Sequence, residues 1–337
     1  MTQNKTLIFK KIPTGLPVEG EHLVVEDRPI DLTKAPEGGL VIQNLYASFD
    51  PYLRGKMRDP AVKSYTPAFE VDHPIANSTV AKVLKSDTPD FQEGDLIKAF
   101  VPIAEYARVE KAHLAFARKI SNPHNLDLGL FLGPLGMPGL TAWSGLYKIG
   151  KPKKGETIFI SSAAGAVGQV VGQIAKREGL RVIGSVGSDE KLDFIVKELG
   201  RSLMMRCPRL APDGIDIYFE NVGDDHLEAA LISLNTFGRI PVCGMISNYN
   251  TPRDQQRGVK GLFQIVTKQL TLQGFIQSNP EYGPAYTQEH QEKMQQWFKE
   301  GSVKAKLHTT EGIDKAAHGF IDMLTGGNFG KAVLKLN

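Results

Sequence analysis

The chain has 337 residues, enough for two domains with buried cores. Its 40 basic and 37 acidic side chains are too evenly matched to indicate nucleic-acid binding, and no apolar run reaches the roughly 18 residues of a membrane span. With only two cysteines and no secretory signal in the first residues, we expect a cytoplasmic protein whose partner is a small molecule, with no nucleic acid and no membrane.

Residues 1–125 predict a β-rich domain. Short apolar stretches, for example 39–48 and 78–84, alternate with Pro, Gly and Asp. This is the pattern of short strands joined by turns. Helical spacing of apolar residues follows over 128–147, and we place the domain boundary between residues 125 and 126.

Strands and helices alternate from residue 157 onward. The β-like runs are 157–161, 181–184, 215–219 and 239–243, and the helical stretches are 167–177, 191–199 and 226–234. Such alternation predicts βαβ units and a doubly wound, mostly parallel sheet. Later residues predict helices at 289–299 and 315–324, an extended piece at 307–310 and a closing strand at 331–336.

A glycine-rich turn separates the first of these strands from its helix. Ala163, Gly165 and Gly168 form an A-x-G-x-x-G pattern there. Gly165 would let the backbone approach a pyrophosphate, Gly168 would let the helix pack closely, and the helix N-terminus attracts phosphate. The same small residues also suit a helix start that serves packing alone.

The end of the next strand distinguishes NAD from NADP. An NAD enzyme usually places an acid about 20 residues beyond the glycines, where this chain has Gly187 and Ser188. Lys191 follows within a turn, and its charge suits the 2′-phosphate of NADP, although an exposed helix lysine is the alternative. Asp189 and Glu190 remain open as ribose ligands or as acids at a helix start.

Several motifs occur in the order typical of one enzyme branch. They are Asp50–Arg54, Leu135–Ala142, the glycine motif, Gly187–Lys191, Glu220–Gly223, Arg239–Gly244, Ile246–Asn250 and Asn328–Lys331. Over nearly its whole length the chain resembles the zinc-independent leukotriene B4 dehydrogenase, prostaglandin reductase and alkenal double-bond reductase branch of the medium-chain dehydrogenase/reductase superfamily. The resemblance implies an α/β fold: a Rossmann doubly wound parallel sheet in residues 126–299, shortened near 201–214, plus a β-rich GroES-like catalytic domain in residues 1–125, completed by about 300–337.

The resemblance also implies NADPH as the cofactor and assigns the site residues. Tyr52 and Tyr249 would lie near the substrate in an active site between the domains. The implied cofactor-binding residues are Ala163, Gly165, Ala166, Val167, Gly168, Ser188, Lys191, Asn221, Cys243, Gly244, Ile246, Ser247, Tyr249, Phe275, Ile276, Gln277 and Asn328.

A metal site is not expected. Zinc enzymes of the superfamily need thiolate and imidazole ligands. The two cysteines, Cys207 and Cys243, have no histidine near them in sequence, and His73 and His113 are isolated.

The segment 201–214 departs from a regular βαβ unit. If residues 203–205 form the next strand, only 206–214 remain for a crossover that usually takes at least about 10 to 12 residues. The resemblance implies a longer segment in relatives, with a tyrosine that helps to hold the NADP phosphate. Either the sheet has lost an edge unit or the sequence is truncated or mis-spliced, and we expect reduced NADPH affinity.

The predicted function is reduction of the carbon–carbon double bond of an α,β-unsaturated aldehyde or ketone by hydride from NADPH. The Tyr249 hydroxyl or a ribose hydroxyl would stabilise charge on the carbonyl oxygen, and Tyr52 would form a wall or position the substrate. An NADPH quinone reductase and a catalytically idle NADPH-binding protein are the alternatives. Apolar stretches in 257–274, near an expected edge strand, favour a homodimer, which the resemblance also implies.

Overall fold

The computed structural model describes residues 1–193, 195, the backbone of 202–203, and 211–336. The chain forms two compact units. The first comprises Met1–Leu132, Leu307–Asn328 and the chain from Ala332 onward, and the second comprises Gly133–Lys306 and Phe329–Lys331. Within the described residues, every helix is too short or too polar to span a membrane.

The first unit is built mainly from antiparallel strands. Its N-terminal part contains β1 (Lys5–Phe9), β2 (Leu23–Asp27), β3 (Leu40–Ser48), helix α1 (Tyr52–Lys56), β4 (His73–Pro74), β5 (Ala76–Ser86), β6 (Leu96–Pro102), β7 (Tyr106–Val109) and β8 (Arg118–Lys119), with 3₁₀ turns at Lys111–Phe116 and Leu128–Leu132. Strands β3 and β5 confirm the strands predicted at 39–48 and 78–84.

The second unit alternates helices and strands. It contains α2 (Met137–Ser144), a π-helical turn (Gly145–Gly150), β9 (Thr157–Ile160), α3 (Gly168–Arg177), β10 (Arg181–Gly184), α4 (Asp189–Asp193), β11 (Ser202–Leu203), β12 (Ile215–Phe219), α5 (Asp224–Ser233), β13 (Leu234–Val242), 3₁₀ turns at Ile246–Asn248 and Arg253–Gln255, α6 (Phe263–Thr267), β14 (Thr271–Gly274) and α7 (Gly283–Lys299). The chain closes with β15 (Leu307–Glu311), a 3₁₀ turn (Ile313–Lys315), α8 (Ala316–Leu324) and β16 (Lys331–Lys335).

The sheet of the second unit has the strand order β11-β10-β9-β12-β13-β14, and its paired strands are parallel. This is the order of a doubly wound dinucleotide-binding sheet. The order reverses between β9 and β12, so the crevice for a ligand is expected at the carboxyl ends of those two strands. All four residues of β9 are buried, as expected for a parallel strand whose last three residues, 158–160, are a continuous apolar run.

The first unit holds two sheets. Strands β2, β1 and β4 form the smaller one, and the larger has the order β15-β16-β3-β5-β6-β8, with β7 also paired to β3. Strand β16 pairs antiparallel with β3, so the C-terminal end of the chain completes the sheet formed by its N-terminal part.

The helix predicted over 128–147 is interrupted in the structure. Pro134 and Gly136 separate the 3₁₀ turn at Leu128–Leu132 from α2, which has Pro138 in its first turn. Proline suits the start of a helix and disrupts its interior, because its nitrogen carries no hydrogen. The helix at 289–299 begins earlier than predicted, at Gly283, again with a proline in its first turn.

The shortened segment keeps an edge strand. Strand β11 has two residues and pairs parallel with β10 through Ile183↔Ser202 and Gly184↔Leu203. An edge strand is therefore present at 202–203, and the two alternatives given for the shortened segment stay predictions. Residues 204–210 lie outside the described residues, and they include the end of the strand considered at 203–205 and the first part of the crossover considered at 206–214. The end of the predicted helix, residues 196–199, also lies outside the described residues.

An ionic network fixes the amino ends of the central strands. The Arg239 guanidinium donates to the Glu156 carboxylate at 2.5 Å, to the Gly150 carbonyl at 3.0 Å and to the Asp216 carbonyl at 3.3 Å. Both charged side chains are only 17% exposed. The pair therefore joins the start of β9 to β13 at the end of the sheet away from the crevice.

We expect Arg239→Met to lower the free energy of unfolding by about 2 to 3 kcal/mol, because it leaves the Glu156 carboxylate half-buried without its cation. Chemical denaturation measures this loss. Lys85→Met is the matched control, since Lys85 pairs with Glu93 on an exposed surface, with 45% and 58% of the two side chains accessible, and should cost less than about 0.5 kcal/mol. Equal losses in the two variants would contradict the expectation.

Candidate cofactor and active site

The loop between β9 and α3, residues 161–167, is here called the glycine loop. Its Ala163 amide donates to the Ser185 carbonyl at 2.8 Å, and its Gly165 amide donates to the Ser162 carbonyl at 2.9 Å. A Cβ atom built on Gly168, the first residue of α3, would lie 2.3 Å from the Ser162 carbonyl oxygen. Glycine is therefore required at 168 for the helix to start so close to the loop.

The glycine loop is suited to bind phosphate. Within the described residues, no protein acceptor takes the amide hydrogens of Ala166 and Val167, which precede the helix. A helix N-terminus adds a partial positive charge at the same place. The Gly330 amide also binds the loop, because it donates to the Ala164 carbonyl at 3.1 Å. Asn328, two positions earlier in the sequence, belongs to the first unit, whereas Gly330 belongs to the second.

The predicted 2′-phosphate residues lie at the start of α4. The Ser188 hydroxyl accepts the Lys191 amide at 3.3 Å and so caps this helix, whose first turn contains Asp189 and Glu190. The Lys191 side chain is half-buried. This position, after the second strand of the sheet, is where the ribose of a dinucleotide lies in this fold.

The residues 220–223 that follow β12, here called the β12 loop, are tied to the glycine loop. The Asn221 amide donates to the Ser161 hydroxyl at 2.9 Å, and its side-chain nitrogen donates to the Ser161 carbonyl at 2.7 Å. The Asn221 side-chain oxygen accepts the Cys243 thiol at 2.9 Å. Burial, and after it the nearby Glu220 carboxylate, raise the pKa of the Cys243 thiol, so this thiol is a hydrogen-bond donor rather than a nucleophile at neutral pH.

The residues 243–249 that follow β13, here called the β13 loop, pack on the β12 loop. The Ile246 amide donates to the Asn221 carbonyl at 3.2 Å, and the Ser247 amide donates to the Val222 carbonyl at 3.0 Å. A Cβ atom built on Gly244 would lie 3.2 Å from the Tyr249 hydroxyl oxygen. The Tyr249 hydroxyl is therefore held close to the Gly244 backbone, directly beyond the end of β13.

The predicted residues 275–277 follow the edge strand β14. The Phe275 ring stacks on Tyr282 with centroids 5.2 Å apart, and Ile276 is half-buried. The Gln277 carbonyl accepts the Gly283 amide at 2.8 Å. These residues thus line the carboxyl end of the sheet beyond β14, next to the start of α7.

Tyr52 is anchored in the first unit. Its hydroxyl donates to the Asn77 side-chain oxygen at 2.6 Å, and the Asn77 side-chain nitrogen donates to the Ser48 carbonyl at 2.7 Å and to the Asp50 carboxylate at 2.9 Å. Burial, then Asp50, then Tyr65 raise the pKa of Tyr52. The phenol therefore remains protonated and is held at a fixed position by Asn77.

The structure brings most of the predicted cofactor residues together at the carboxyl ends of β9, β10, β12, β13 and β14 in the second unit. Tyr52 belongs to the first unit, and a common active site with Tyr249 stays a prediction. The sequence analysis assigned no role to Asn77 or to Glu220, although Glu220 begins the quoted motif Glu220–Gly223. Glu220 had one available signal, because it is an acid placed directly at the end of the apolar strand 215–219.

The described residues do not offer a metal site. No three side chains among their His, Cys, Asp and Glu residues form a group that could hold a metal ion. A zinc ion requires about four such ligands in a structural site and three in a catalytic site. The glycine loop, in contrast, has the close glycine contact and the amide donors that a pyrophosphate requires.

Comparisons with known proteins agree with this geometry. Residues 5–116 match a family model described as the N-terminal domain of oxidoreductase, and residues 166–295 match one described as zinc-binding dehydrogenase. The chain is 49% identical to the NADP-dependent oxidoreductase RED1 of Cochliobolus heterostrophus over 100% of this chain and 98% of that one. It is 39% identical to the 2-alkenal reductase (NADP(+)-dependent) of Nicotiana tabacum over 99% of this chain and 98% of that one.

Among solved structures, CurA from Vibrio vulnificus in complex with NADPH is similar over 99% of both chains, with 34% identity and a TM-score of 0.89. The α/β fold class, a doubly wound parallel sheet with a separate β-rich domain, is confirmed by this match. The family description of residues 166–295 mentions zinc, but the described part of that region contains no set of side chains that could bind it.

Proposed function

Because the chain belongs to the medium-chain dehydrogenase/reductase superfamily and is an NADP-dependent oxidoreductase, we propose that it reduces the carbon–carbon double bond of α,β-unsaturated aldehydes or ketones. We place the reaction in the cytoplasm, a reducing compartment that suits a chain with only two cysteines. We assign cofactor binding and the catalytic donor Tyr249 to the second unit, and positioning of the substrate by Tyr52 to the first.

The arrangement of the nucleotide-binding loops supports the cofactor part of this proposal, and the similarity to the 2-alkenal reductase supports the reaction. The glycine loop, the start of α4 and the β12 and β13 loops all lie at the carboxyl ends of parallel strands around the crossover between β9 and β12, where dinucleotides bind in this fold. The amides of Ala166 and Val167 would hold the pyrophosphate, and Lys191 would hold the 2′-phosphate.

NADPH, when bound, would supply the hydride that adds to the β-carbon of the substrate, and a proton from water would add to the α-carbon of the resulting enolate. Negative charge then grows on the substrate carbonyl oxygen, and a hydrogen-bond donor directed at that oxygen lowers the barrier. We assign this role to the Tyr249 hydroxyl. Tyr52 is assigned to positioning, since Asn77 already fixes its hydroxyl.

One assay tests the proposed function. NADPH absorbance is followed with an enal, an enone and a quinone in turn. We expect turnover of the enal and the enone. Turnover of the quinone alone would favour a quinone reductase, and binding of NADPH without turnover of any substrate would favour an idle NADPH-binding protein.

Lys191→Gln is expected to reduce the preference for NADPH over NADH by about 10-fold to 100-fold, because a charge-assisted contact with the 2′-phosphate is lost. The ratio of kcat/KM for the two cofactors measures the effect, and the value for NADH should stay unchanged. Lys176→Gln, at the exposed opposite end of α3 from the glycine loop, is the matched control. An unchanged NADPH preference in Lys191→Gln would contradict the assignment.

We also propose a homodimer that forms through the β14 edge of the sheet. All four residues of β14 are exposed. Large exposed apolar side chains lie on the neighbouring strand β13, where Phe237 is 63% exposed, and on the preceding helix α6, where Phe263 is 71% and Val266 67% exposed. An open edge strand can pair with a second copy of itself, and the apolar side chains would then be buried on both copies.

Phe263→Glu tests this interface, because it places a charge in the apolar surface. Size-exclusion chromatography with light scattering should show a dimer for the unmodified chain and a monomer for the variant. Phe116→Glu is the control, since Phe116 is 64% exposed in the first unit. A monomeric unmodified chain, or dissociation by both variants, would contradict a β14 interface.

A further inference from the structure

A fully buried carboxylate lies where the sheet order reverses. Glu220 is the first residue after β12 and has no exposed surface. Its amide donates to the Pro241 carbonyl at 3.0 Å, and its carbonyl accepts the Cys243 amide at 3.1 Å. The backbone of Glu220 is therefore paired with the end of β13, and its side chain stands between the loops that follow β9 and β12.

One oxygen of this carboxylate accepts hydrogen bonds from four donors. Oε1 accepts the Tyr218 hydroxyl at 2.7 Å, the Val222 amide at 2.7 Å, the Gly223 amide at 2.9 Å and the Ser161 hydroxyl at 3.3 Å. A carboxylate is an acceptor that can serve several donors at once. Gly223 has a φ of +87°, so the β12 loop turns through a conformation that this carboxylate helps to hold.

The other oxygen, Oε2, is buried and accepts no hydrogen bond from the protein within the described residues. A buried polar atom without a partner is costly, so its presence requires an explanation, and a role in a functional site is one such explanation. Packing alone therefore does not account for a glutamate at position 220. Its neighbours in contact, Ser161, Val222 and Gly223, belong to two of the loops that face the crevice.

We propose that Glu220 is a positioning residue for the nicotinamide half of the cofactor, holding the β12 loop against the glycine loop through Oε1. The inference rests on the proposed NADPH chemistry. In a doubly wound sheet each half binds one mononucleotide, and the β9-α3-β10 half carries the glycine loop and Lys191 for the adenosine side. The half that starts at β12 is left for the nicotinamide side, and Glu220 holds its first loop.

The test compares two ligands on the full chain by isothermal titration calorimetry. NADPH probes both halves, and adenosine 2′,5′-bisphosphate probes the adenosine half alone. Glu220→Leu removes every acceptor and should weaken NADPH binding by about 10-fold or more, with bisphosphate binding within about twofold of the unmodified chain. Glu220→Gln keeps an oxygen that can accept the Val222 and Gly223 amides, so its affinity for NADPH should lie within about threefold of that of the unmodified chain.

Asp216→Leu is the matched control. Asp216 lies on the same strand at its opposite end, where it accepts the Thr157 amide at 2.8 Å and the Asn235 side-chain nitrogen at 2.9 Å. Loss of the Asp216 carboxylate should change the binding of the two ligands equally, because it acts only through the stability of the fold. Glu220→Asp, which withdraws the acceptor by one methylene, provides the same comparison if the leucine variant does not fold.

The inference is overturned if Glu220→Leu weakens the binding of both ligands alike, if it leaves NADPH binding unchanged, or if Asp216→Leu produces the same difference between the ligands. These results are distinct from a failure of the proposed function. If cofactor binding itself fails, the unmodified chain binds neither ligand, and if only the proposed reduction fails, NADPH still binds to the unmodified chain but no enal or enone is turned over.

Discussion

Gly168→Ala is expected to weaken NADPH binding by about 100-fold, the scale of loss that a displacement of about 1 Å causes in a positioned site. The added Cβ would lie 2.3 Å from the Ser162 carbonyl oxygen and 2.8 Å from the Ala163 Cα. Both atoms belong to the backbone of the glycine loop, so the clash cannot be relieved by a side-chain rotation. The loop or the start of α3 must move, and the phosphate donors move with it.

Titration of the quenching of protein fluorescence by NADPH measures this loss. Gly258→Ala is the control, because a Cβ there meets no atom within 4 Å and the residue has no left-handed φ. Thermal unfolding of both variants separates a local change of the loop from general destabilisation. An affinity within about threefold of the unmodified chain for Gly168→Ala would show that the loop does not hold the pyrophosphate.

The nucleotide-binding core could be predicted from the sequence because its signals are local. The apolar run 157–160, the glycine pattern and the helical spacing after Gly168 lie within about one βα unit, and the structure places β9 and α3 at those residues. The strands predicted at 181–184 and 215–219 likewise match β10 and β12. Continuous apolar runs are typical of parallel strands that are buried on both faces.

The short elements could not be predicted, because distant residues stabilise them. Helix α1 has only five residues, and its Arg54 side chain donates to the carbonyls of Pro13 and Gly15, about forty positions earlier in the chain. An isolated helix of this length is unstable in water. The motif that includes Tyr52 therefore gave no helical signal, although the structure places it in a helix.

The buried polar groups of the site were missed for a similar reason. Glu220 and Asn77 are an acidic and an amide residue, which are exposed in most proteins, and the adjacent sequence carries a signal only for Glu220, at the end of the strand 215–219. Their roles depend on partners from other strands, such as Ser161 for Glu220 and Tyr52 for Asn77. The sequence could suggest which loops form the site but not which side chains hold those loops together.

Tyr249→Phe is expected to lower kcat by about 100-fold with an enone substrate, the scale observed when a donor to a developing oxyanion is removed. The variant loses only the hydroxyl oxygen, which lies beside Gly244 at the end of β13. The ring and its packing are retained, so the dissociation constant of NADPH should change by less than about twofold. Single-turnover measurements of NADPH oxidation isolate the chemical step.

Tyr52→Phe is the matched comparison, because the same atom is removed from the other tyrosine. Its hydroxyl is already bound to the Asn77 side chain at 2.6 Å, so the loss should disturb the position of the ring and raise KM more than it lowers kcat. If Tyr249→Phe keeps the full kcat, a ribose hydroxyl of the cofactor is the donor to the carbonyl oxygen instead. If Tyr52→Phe shows the larger fall in kcat, the assigned roles of the two tyrosines are reversed. The reason is that kcat falls without a change in cofactor binding only when the lost donor acts in the transition state.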